Sequence, residues 1–275
     1  MSPAATIGVI ATTEFRALVR RRWFIVTLAV GLALIITGTI FAVGNDGIPR
    51  SDALRSWTLA VEVIGGLVIG ASLGSSAANR DADGGWVGIQ VATGAGRSPV
   101  MLGRIVGRVF ALVAAFLSWM VAAGLCSLII GNGPDGPLAV TGLAGIENML
   151  VVLTVAALCS VALGPVASGI TAGVVYVFVQ ALVNLSTAAD AGVIGTAWSG
   201  LVRTLYFVFP RGIVSPMVAE LQARDVAGVA APRVEVNGNI VFILGSSWGS
   251  VIWTLAWCVL LAFAAAGAIR RRALS

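Results

Sequence analysis

The amino-acid sequence predicts an all-α, polytopic membrane protein with six transmembrane helices, and three observations carry this prediction. Hydrophobic residues make up 58% of the 275 residues, whereas charged residues make up only 11%. Several apolar runs are about 20 residues long, the length that an α-helix needs to cross the hydrocarbon core of a bilayer. The basic residues cluster beside these runs. Such clusters are typical topology signals and not a nucleic-acid-binding face, so we expect a lipid bilayer and no nucleic acid around the chain.

The apolar runs define one transmembrane domain over residues 1–275. The uncharged stretch between Glu147 and Asp190 is about twice as long as one crossing needs to be, so we divide it at Gly164-Pro165, where proline favours a helix break. The predicted spans are 23–43, 56–78, 101–130, 145–163, 166–186 and 248–269. In the third span, we expect Arg104 and Arg108 to extend toward the lipid headgroups.

Arginine placement predicts the orientation. With six spans, the arginines before the first span, those around the 79–99 loop and those at the C-terminal end all fall on one side, which the positive-inside rule makes cytoplasmic. Both termini are then cytoplasmic, and 187–245 is an external segment. Within it, 198–218 predicts two short interfacial helices anchored by Trp198, Tyr206 and Phe207. The alanine, glycine and valine richness and the exclusive use of arginine are typical of a GC-rich bacterium, so we expect the bacterial cytoplasmic membrane.

Residues 6–22 have the periodicity of an amphipathic helix. Ile10 and Phe15 fall on its apolar side, and Arg16 and Arg20 fall on the opposite side. We expect this helix to lie in the membrane interface, with its arginines toward anionic headgroups. The alternative, a basic segment that only sets the topology, stays open.

The residue inventory excludes several kinds of chemistry. The chain contains no histidine and no lysine, which removes imidazole metal ligands and the lysine of a phosphate-binding loop. Cys126, Cys159 and Cys258 each lie within an apolar run, without a neighbour at metal-ligand spacing. We therefore expect no catalytic residue, no metal site and no cofactor in this chain, and any ATP with its magnesium ion would be bound by another chain.

Small residues recur every four positions in two spans. Gly66, Gly70 and Gly74 follow Glu62 in the second span, and Gly103 and Gly107 open the third. Such spacing predicts close helix packing. Glu62 is the acidic residue well inside an apolar span, so it is a candidate pathway residue by default. Pairing near the outer interface with Arg50 or Arg55, and contact with a cationic or polar cargo, are both open.

The loop 79–99 carries an apolar patch that is unusual for a polar connection. The patch contains Trp86, Val87, Ile89, Gln90 and Val91. An apolar patch on a polar loop is unfavourable in water unless it contacts something. A short helix turned toward a soluble partner accounts for it.

Several short motifs then give a resemblance to a known family. They are Glu14-Phe15 followed by Arg20 to Arg22, then Arg80-Asp81, Gly84-Gly85, Gly96-Arg97-Ser98-Pro99 and Gly103-Arg104. In layout and in these motifs the chain resembles the membrane subunits of ABC-type exporters of the second exporter class, which include drug, antibiotic, sodium and polysaccharide export permeases. The acidic run before the loop patch and the turn between spans four and five depart from the family's pattern.

The resemblance implies a division of labour between chains. Residues 84–94 would be a coupling helix that docks on a separate ABC ATPase subunit, with Trp86 and Ile89 as apolar contacts. That subunit would bind ATP and magnesium, so this chain would not itself be an enzyme. A six-span chain would be half of a membrane domain and would pair with a second permease copy or a homologous permease.

Two other classes share this layout and stay open. The first is an ion-coupled carrier or channel-like protein, against which we weigh the single intramembrane carboxylate and the lack of an obvious repeat. The second is a membrane anchor or immunity protein that transports nothing. A neighbouring reading frame for a lone ATPase would favour the exporter.

Overall fold

The computed structural model describes residues 2–44, 50–84, 96–131, 133, 136–190, 195–210 and 240–272. Within these residues every regular element is a helix and there is no strand, so the all-α prediction is confirmed. The helices are α1 (Pro3–Val19), α2 (Arg22–Gly44), α3 (Arg50–Gly84), α4 (Arg97–Ile129), α5 (Gly136–Cys159), α6 (Pro165–Asp190), α7 (Thr196–Val208) and α8 (Ile240–Arg272).

Six of these helices are long and apolar enough to cross a membrane. The qualifying segments are 22–44, 53–78, 97–129, 142–159, 165–182 and 251–269. They confirm the predicted multi-pass architecture. Helix α1, with 17 residues, and α7, with 13, are shorter than a crossing requires.

Some helix ends differ from the predicted bounds. Helix α3 continues to Gly84, so the first part of the predicted 79–99 loop is helical. Helix α8 begins at Ile240 and α6 ends at Asp190, which shortens the predicted 187–245 segment from both sides. Helical hydrogen bonding therefore continues beyond the predicted spans, through the polar residues 79–84 of α3 and through residues 240–247 at the beginning of α8.

Local chemistry explains where the helices begin and turn. Ser2 caps α1 by accepting a hydrogen bond from the Ala5 backbone N–H at 3.3 Å, and Pro3 occupies the first helical turn, where it costs no hydrogen bond. Helix α5 ends at Cys159 and Pro165 begins α6, with a tight turn between them. The chain therefore reverses at the predicted Gly164-Pro165 break, four residues after the helix has ended.

Helix α3 lies at the centre of the bundle. It packs against α2, α4, α5 and α6, while α8 packs against α4 and α5. The core between these helices is built from side chains that are at most 1% exposed, among them Ile69, Leu73, Leu112, Phe116, Trp119 and Leu153. Large apolar side chains on the outer faces of α2, α6 and α8 are exposed, which suits contact with lipid tails.

Aromatic residues connect α7 to α8. The indole N–H groups of Trp253 and Trp257 donate to the backbone carbonyls of Phe209 and Val208, at 3.3 and 3.0 Å. Phe207 stacks on Trp253 with ring centroids 6.3 Å apart. Helix α7 accounts for one of the two short helices predicted for 198–218, and residues 211–218 lie outside the described part of the chain. Its location at a membrane interface stays a prediction.

Candidate functional site

The N-terminal helix α1 packs closely against the beginning of α4. A Cβ at Gly103 would lie 2.8 Å from Cβ of Ile10, and one at Gly107 would lie 2.5 Å from the carbonyl oxygen of Ala11. The apolar side predicted for α1 is therefore covered by protein, with Ile10, Ala11 and Leu18 buried. The absence of side chains at Gly103 and Gly107 makes this contact possible.

The other side of α1 matches its predicted polarity. Arg16 and Arg20 are exposed, and Phe15 is half-buried against the core. Their contact with anionic headgroups stays a prediction.

Arg108 is the centre of a polar network at this end of the bundle. Its guanidinium is fully buried and forms a 2.8 Å ion pair with Glu14 of α1 through Nη2. The Nε atom donates a second hydrogen bond to the same carboxylate oxygen at 3.1 Å. Nη1 donates to the carbonyl of Leu73 and to Oγ of Ser76, and Nη2 also donates to the carbonyl of Ser76 at 3.0 Å. Arg108 thus joins α1, α3 and α4.

The prediction that Arg104 and Arg108 extend toward the headgroups is wrong. Arg104 is 5% exposed and donates to the carbonyl of Ala77 at 3.3 Å, and Arg108 is fully buried. Both side chains point into the bundle because α3 offers backbone acceptors there and α1 offers a carboxylate. We call Glu14, Arg104 and Arg108, with the α3 carbonyls of Leu73, Ser76 and Ala77, the arginine cluster.

The same part of α3 also forms a hydrogen bond at the end of α5. The backbone N–H of Ala78 donates to Oγ of Ser160, at the end of α5, at 3.2 Å. Oγ of Ser76 donates back to the carbonyl of Ser72 at 2.8 Å. Side chains therefore connect residues 73–78 of α3 to α4 and to the end of α5, and through Arg108 to Glu14 of α1.

Helices α3 and α5 approach each other along the predicted glycine ridge. A Cβ at Gly66 would lie 2.7 Å from the Phe116 ring, and one at Gly70 would lie 3.3 Å from the carbonyl oxygen of Met149. At Gly74 it would overlap the carbonyl oxygen of Leu153. At Gly74 the absence of a side chain permits this backbone-to-backbone distance, whereas at Gly70 an added Cβ would need a small shift.

Glu62 is buried at the opposite end of this ridge from the arginine cluster. It is 1% exposed, and neither carboxylate oxygen has a hydrogen-bond partner within the described residues. The pairing with Arg50 or Arg55 that the sequence left open is therefore not observed. A Cβ at Gly145 of α5 would be 3.7 Å from Oε2 of Glu62, so the carboxylate faces α5.

Glu147 is a second buried carboxylate that sequence reasoning missed. It is 6% exposed, forms a side-chain hydrogen bond with Thr254 of α8, and leaves Oε1 without a partner in the described part of the chain. The sequence signal for its burial is its position inside the predicted fourth span, 145–163, although the same residue also marks the border of an uncharged stretch. Because two carboxylates are buried and not one, the number of intramembrane carboxylates weighs less against a carrier.

The docking residues predicted in the loop lie outside the described residues. These are Trp86, Val87, Ile89, Gln90 and Val91. The structure describes the helix before them, which ends at Gly84, and the helix after them, which begins at Arg97. Both helices contribute residues to the arginine cluster.

In comparisons with known proteins, no family model and no curated protein matches this chain. Functional reasoning therefore rests on the residues and their contacts. Two features are candidates for a functional role. The arginine cluster connects helices, and the two buried carboxylates favour positive charge close to them. Within the residues searched, no group of three or more His, Cys, Asp or Glu side chains is placed to hold a metal ion.

Proposed function

We propose that this chain is the membrane-spanning permease subunit of an ATP-driven ABC exporter. It forms half of the translocation pathway, together with a second copy or a homologous permease, in a bacterial cytoplasmic membrane. A separate ATPase subunit binds ATP and magnesium and docks on the segment between α3 and α4. The proposal rests on the family resemblance of the sequence motifs together with six membrane-spanning helices.

The arginine cluster is the observation that carries this proposal furthest. A soluble motor can move membrane helices only if the segment on which it pushes is rigidly connected to them. The predicted coupling helix, residues 84–94, lies at the connection between α3 and α4, and Arg108 connects both of these helices to α1 through Glu14 and the carbonyls of Leu73 and Ser76. A force applied at this segment would therefore move three helices together.

Trp86→Asp tests the docking. We expect the tagged full-length variant, isolated from the membranes of its source cells, to lose most of the copurifying ATPase activity, because a carboxylate replaces the main apolar contact. Trp198→Asp is the matched control, because Trp198 is 66% exposed on α7, far from this loop in sequence, and should retain the ATPase. Equal ATPase activity in both variants, at equal membrane insertion, would refute the docking assignment.

The orientation is tested by labelling. In a background where Cys126, Cys159 and Cys258 are alanine, Asp83→Cys places a thiol at the end of α3. We expect a membrane-impermeant maleimide to label it only after the cells are opened, because the arginine count makes this end cytoplasmic. Labelling in intact cells would contradict both the orientation and the docking proposal.

An ion-coupled carrier is the second candidate, and Glu147 is the observation that favours it. Two buried carboxylates, Glu62 and Glu147, provide the intramembrane acidic groups that carriers use for coupling ions. Reconstitution of the purified chain without any ATPase distinguishes the candidates. Uptake driven by an ion gradient alone would favour the carrier, whereas transport that requires the ATPase and ATP would favour the exporter.

A further inference from the structure

We propose that Glu62 forms a binding site for organic cations, centred on its carboxylate between α3, α4 and α5. The site would determine which class of substrate the transporter binds, so this inference rests on the proposed function. The ligand is a lipophilic molecule with one positive charge, such as an alkyl- or arylammonium or phosphonium group.

The need for positive charge follows from the burial of Glu62. A carboxylate that is buried without a partner is strongly disfavoured, and it is either neutralised by a proton or stabilised by a cation. Both oxygens of Glu62 lack a partner in the described residues, and so does Oε1 of Glu147. Glu147 lies two residues beyond Gly145, and therefore on the other side of α5 from Glu62, where it bonds Thr254 of α8; it is not part of this site.

The surroundings of Glu62 suit an organic cation. A Cβ at Gly145, which would lie near Oε2 of Glu62, would also contact the ring of Phe116. The Trp119 ring lies 5.5 Å from the Phe116 ring, centroid to centroid. Aromatic faces attract organic cations and supply apolar contact for their substituents.

The same surroundings are poor for a metal ion. Hard cations such as sodium or calcium bind through several oxygen atoms, which replace their hydration shell. Phe116 is the side chain that shares the position beside Gly145 with the Glu62 carboxylate, and it has no oxygen atom to offer a metal ion. A cation with an apolar exterior fits this composition better.

Access to the site requires α3 and α5 to separate. The site is closed in this arrangement, because Glu62 is 1% exposed. The glycine ridge of Gly66, Gly70 and Gly74 holds α3 directly against its neighbours on the same side. Movement of α3 relative to α5 would therefore expose the carboxylate.

The binding test uses the purified full-length chain in lipid nanodiscs. The probe is radiolabelled tetraphenylphosphonium, and tetraphenylborate, which has the same shape and the opposite charge, is the control ligand. We expect saturable binding of the cation and none of the anion. Glu62→Gln should weaken cation binding by about tenfold or more, since it removes the charged partner of a desolvated pair, and Glu147→Gln, on the other side of α5, should leave it nearly unchanged.

Two further variants separate charge from folding. Glu62→Asp keeps the charge and should retain measurable binding, which a purely structural role would not predict for a shortened side chain. Asp190→Asn removes a carboxylate at the end of α6 and should leave the affinity unchanged. Equal affinity of the wild-type chain and a folded Glu62→Gln variant would overturn the proposal, as would equal binding of both probes.

The outcomes keep this site distinct from the exporter proposal. Loss of cation binding in Glu62→Gln supports the site whether or not an ATPase copurifies with the chain. If Trp86→Asp abolishes ATPase copurification while Glu62→Gln leaves cation binding unchanged, the exporter proposal stands and the cation site is wrong.

Discussion

Arg108→Ala is expected to lower the free energy of unfolding by about 3 to 5 kcal/mol, the range measured when one partner of a buried ion pair is removed. The guanidinium is fully buried, and its loss removes the ion pair and both hydrogen bonds that it forms with the Glu14 carboxylate. It also removes the hydrogen bonds to Leu73 and Ser76 of α3. Thermal unfolding of the purified chain in detergent, compared with the wild type, measures the effect.

Arg16→Ala provides the matched control. Arg16 is exposed on α1, so its removal should change the stability by no more than about 0.5 kcal/mol. Arg108→Lys should give an intermediate loss, because an ammonium group cannot reproduce the planar fork that reaches Glu14 and α3 together. If Arg108→Ala and Arg16→Ala unfold at the same temperature, the arginine cluster does not stabilise the bundle.

A double-mutant cycle apportions the loss. Glu14→Ala alone leaves a buried guanidinium with only backbone acceptors and a serine hydroxyl, and the double variant Glu14→Ala/Arg108→Ala leaves neither charge. We expect the double variant to be more stable than the sum of the two single losses implies, because Glu14→Ala alone leaves the buried guanidinium without a carboxylate, a cost that is absent when Arg108 is also removed. Strict additivity would show that the two side chains stabilise the fold independently.

The arrangement of spans is predictable from the sequence because its determinants are local. The length of an apolar run, a proline at a turn and arginines beside a span act within about 20 residues, and they yield six crossings. The apolar side of α1 is predictable for the same reason, and Ile10, Ala11 and Leu18 are buried.

The direction in which charged side chains point is not predictable in this way. Arg108 near a span end has two low-energy solutions, extension to the headgroups or burial beside a carboxylate. The choice depends on Glu14, which is 94 residues away in sequence. A single sequence does not reveal that α1 packs on α4.

The burial of Glu147 is equally hard to predict from the sequence. It lies near the border of an apolar stretch, where an exposed carboxylate is as acceptable as a buried one. Its burial results from the packing of α5 against α8, which brings Thr254 to the carboxylate. The burial of this second carboxylate therefore emerges only from the tertiary structure.

Gly74→Ala is expected to destabilise the bundle by about 1 to 3 kcal/mol, the usual effect of overpacking. The added Cβ would overlap the carbonyl oxygen of Leu153 and would lie 2.5 Å from Cβ of Ala156. Because a backbone carbonyl cannot rotate away as a side chain can, α3 and α5 must move apart. Gly74→Leu should have a larger effect, and unfolding in detergent measures both.

A graded series makes this prediction specific to the α3–α5 contact. Gly70→Ala should cost less, because its Cβ would lie 3.3 Å from the carbonyl oxygen of Met149 and needs a shift of only a few tenths of an ångström. Gly173→Ala on α6 has no atom within 4 Å of the new Cβ and should be neutral or stabilising, since alanine favours helix over glycine. A loss at Gly173 equal to that at Gly74 would show that glycine acts through helix flexibility and not through close packing. The order Gly74, Gly70, Gly173 would instead establish that the α3–α5 contact is set by backbone distance.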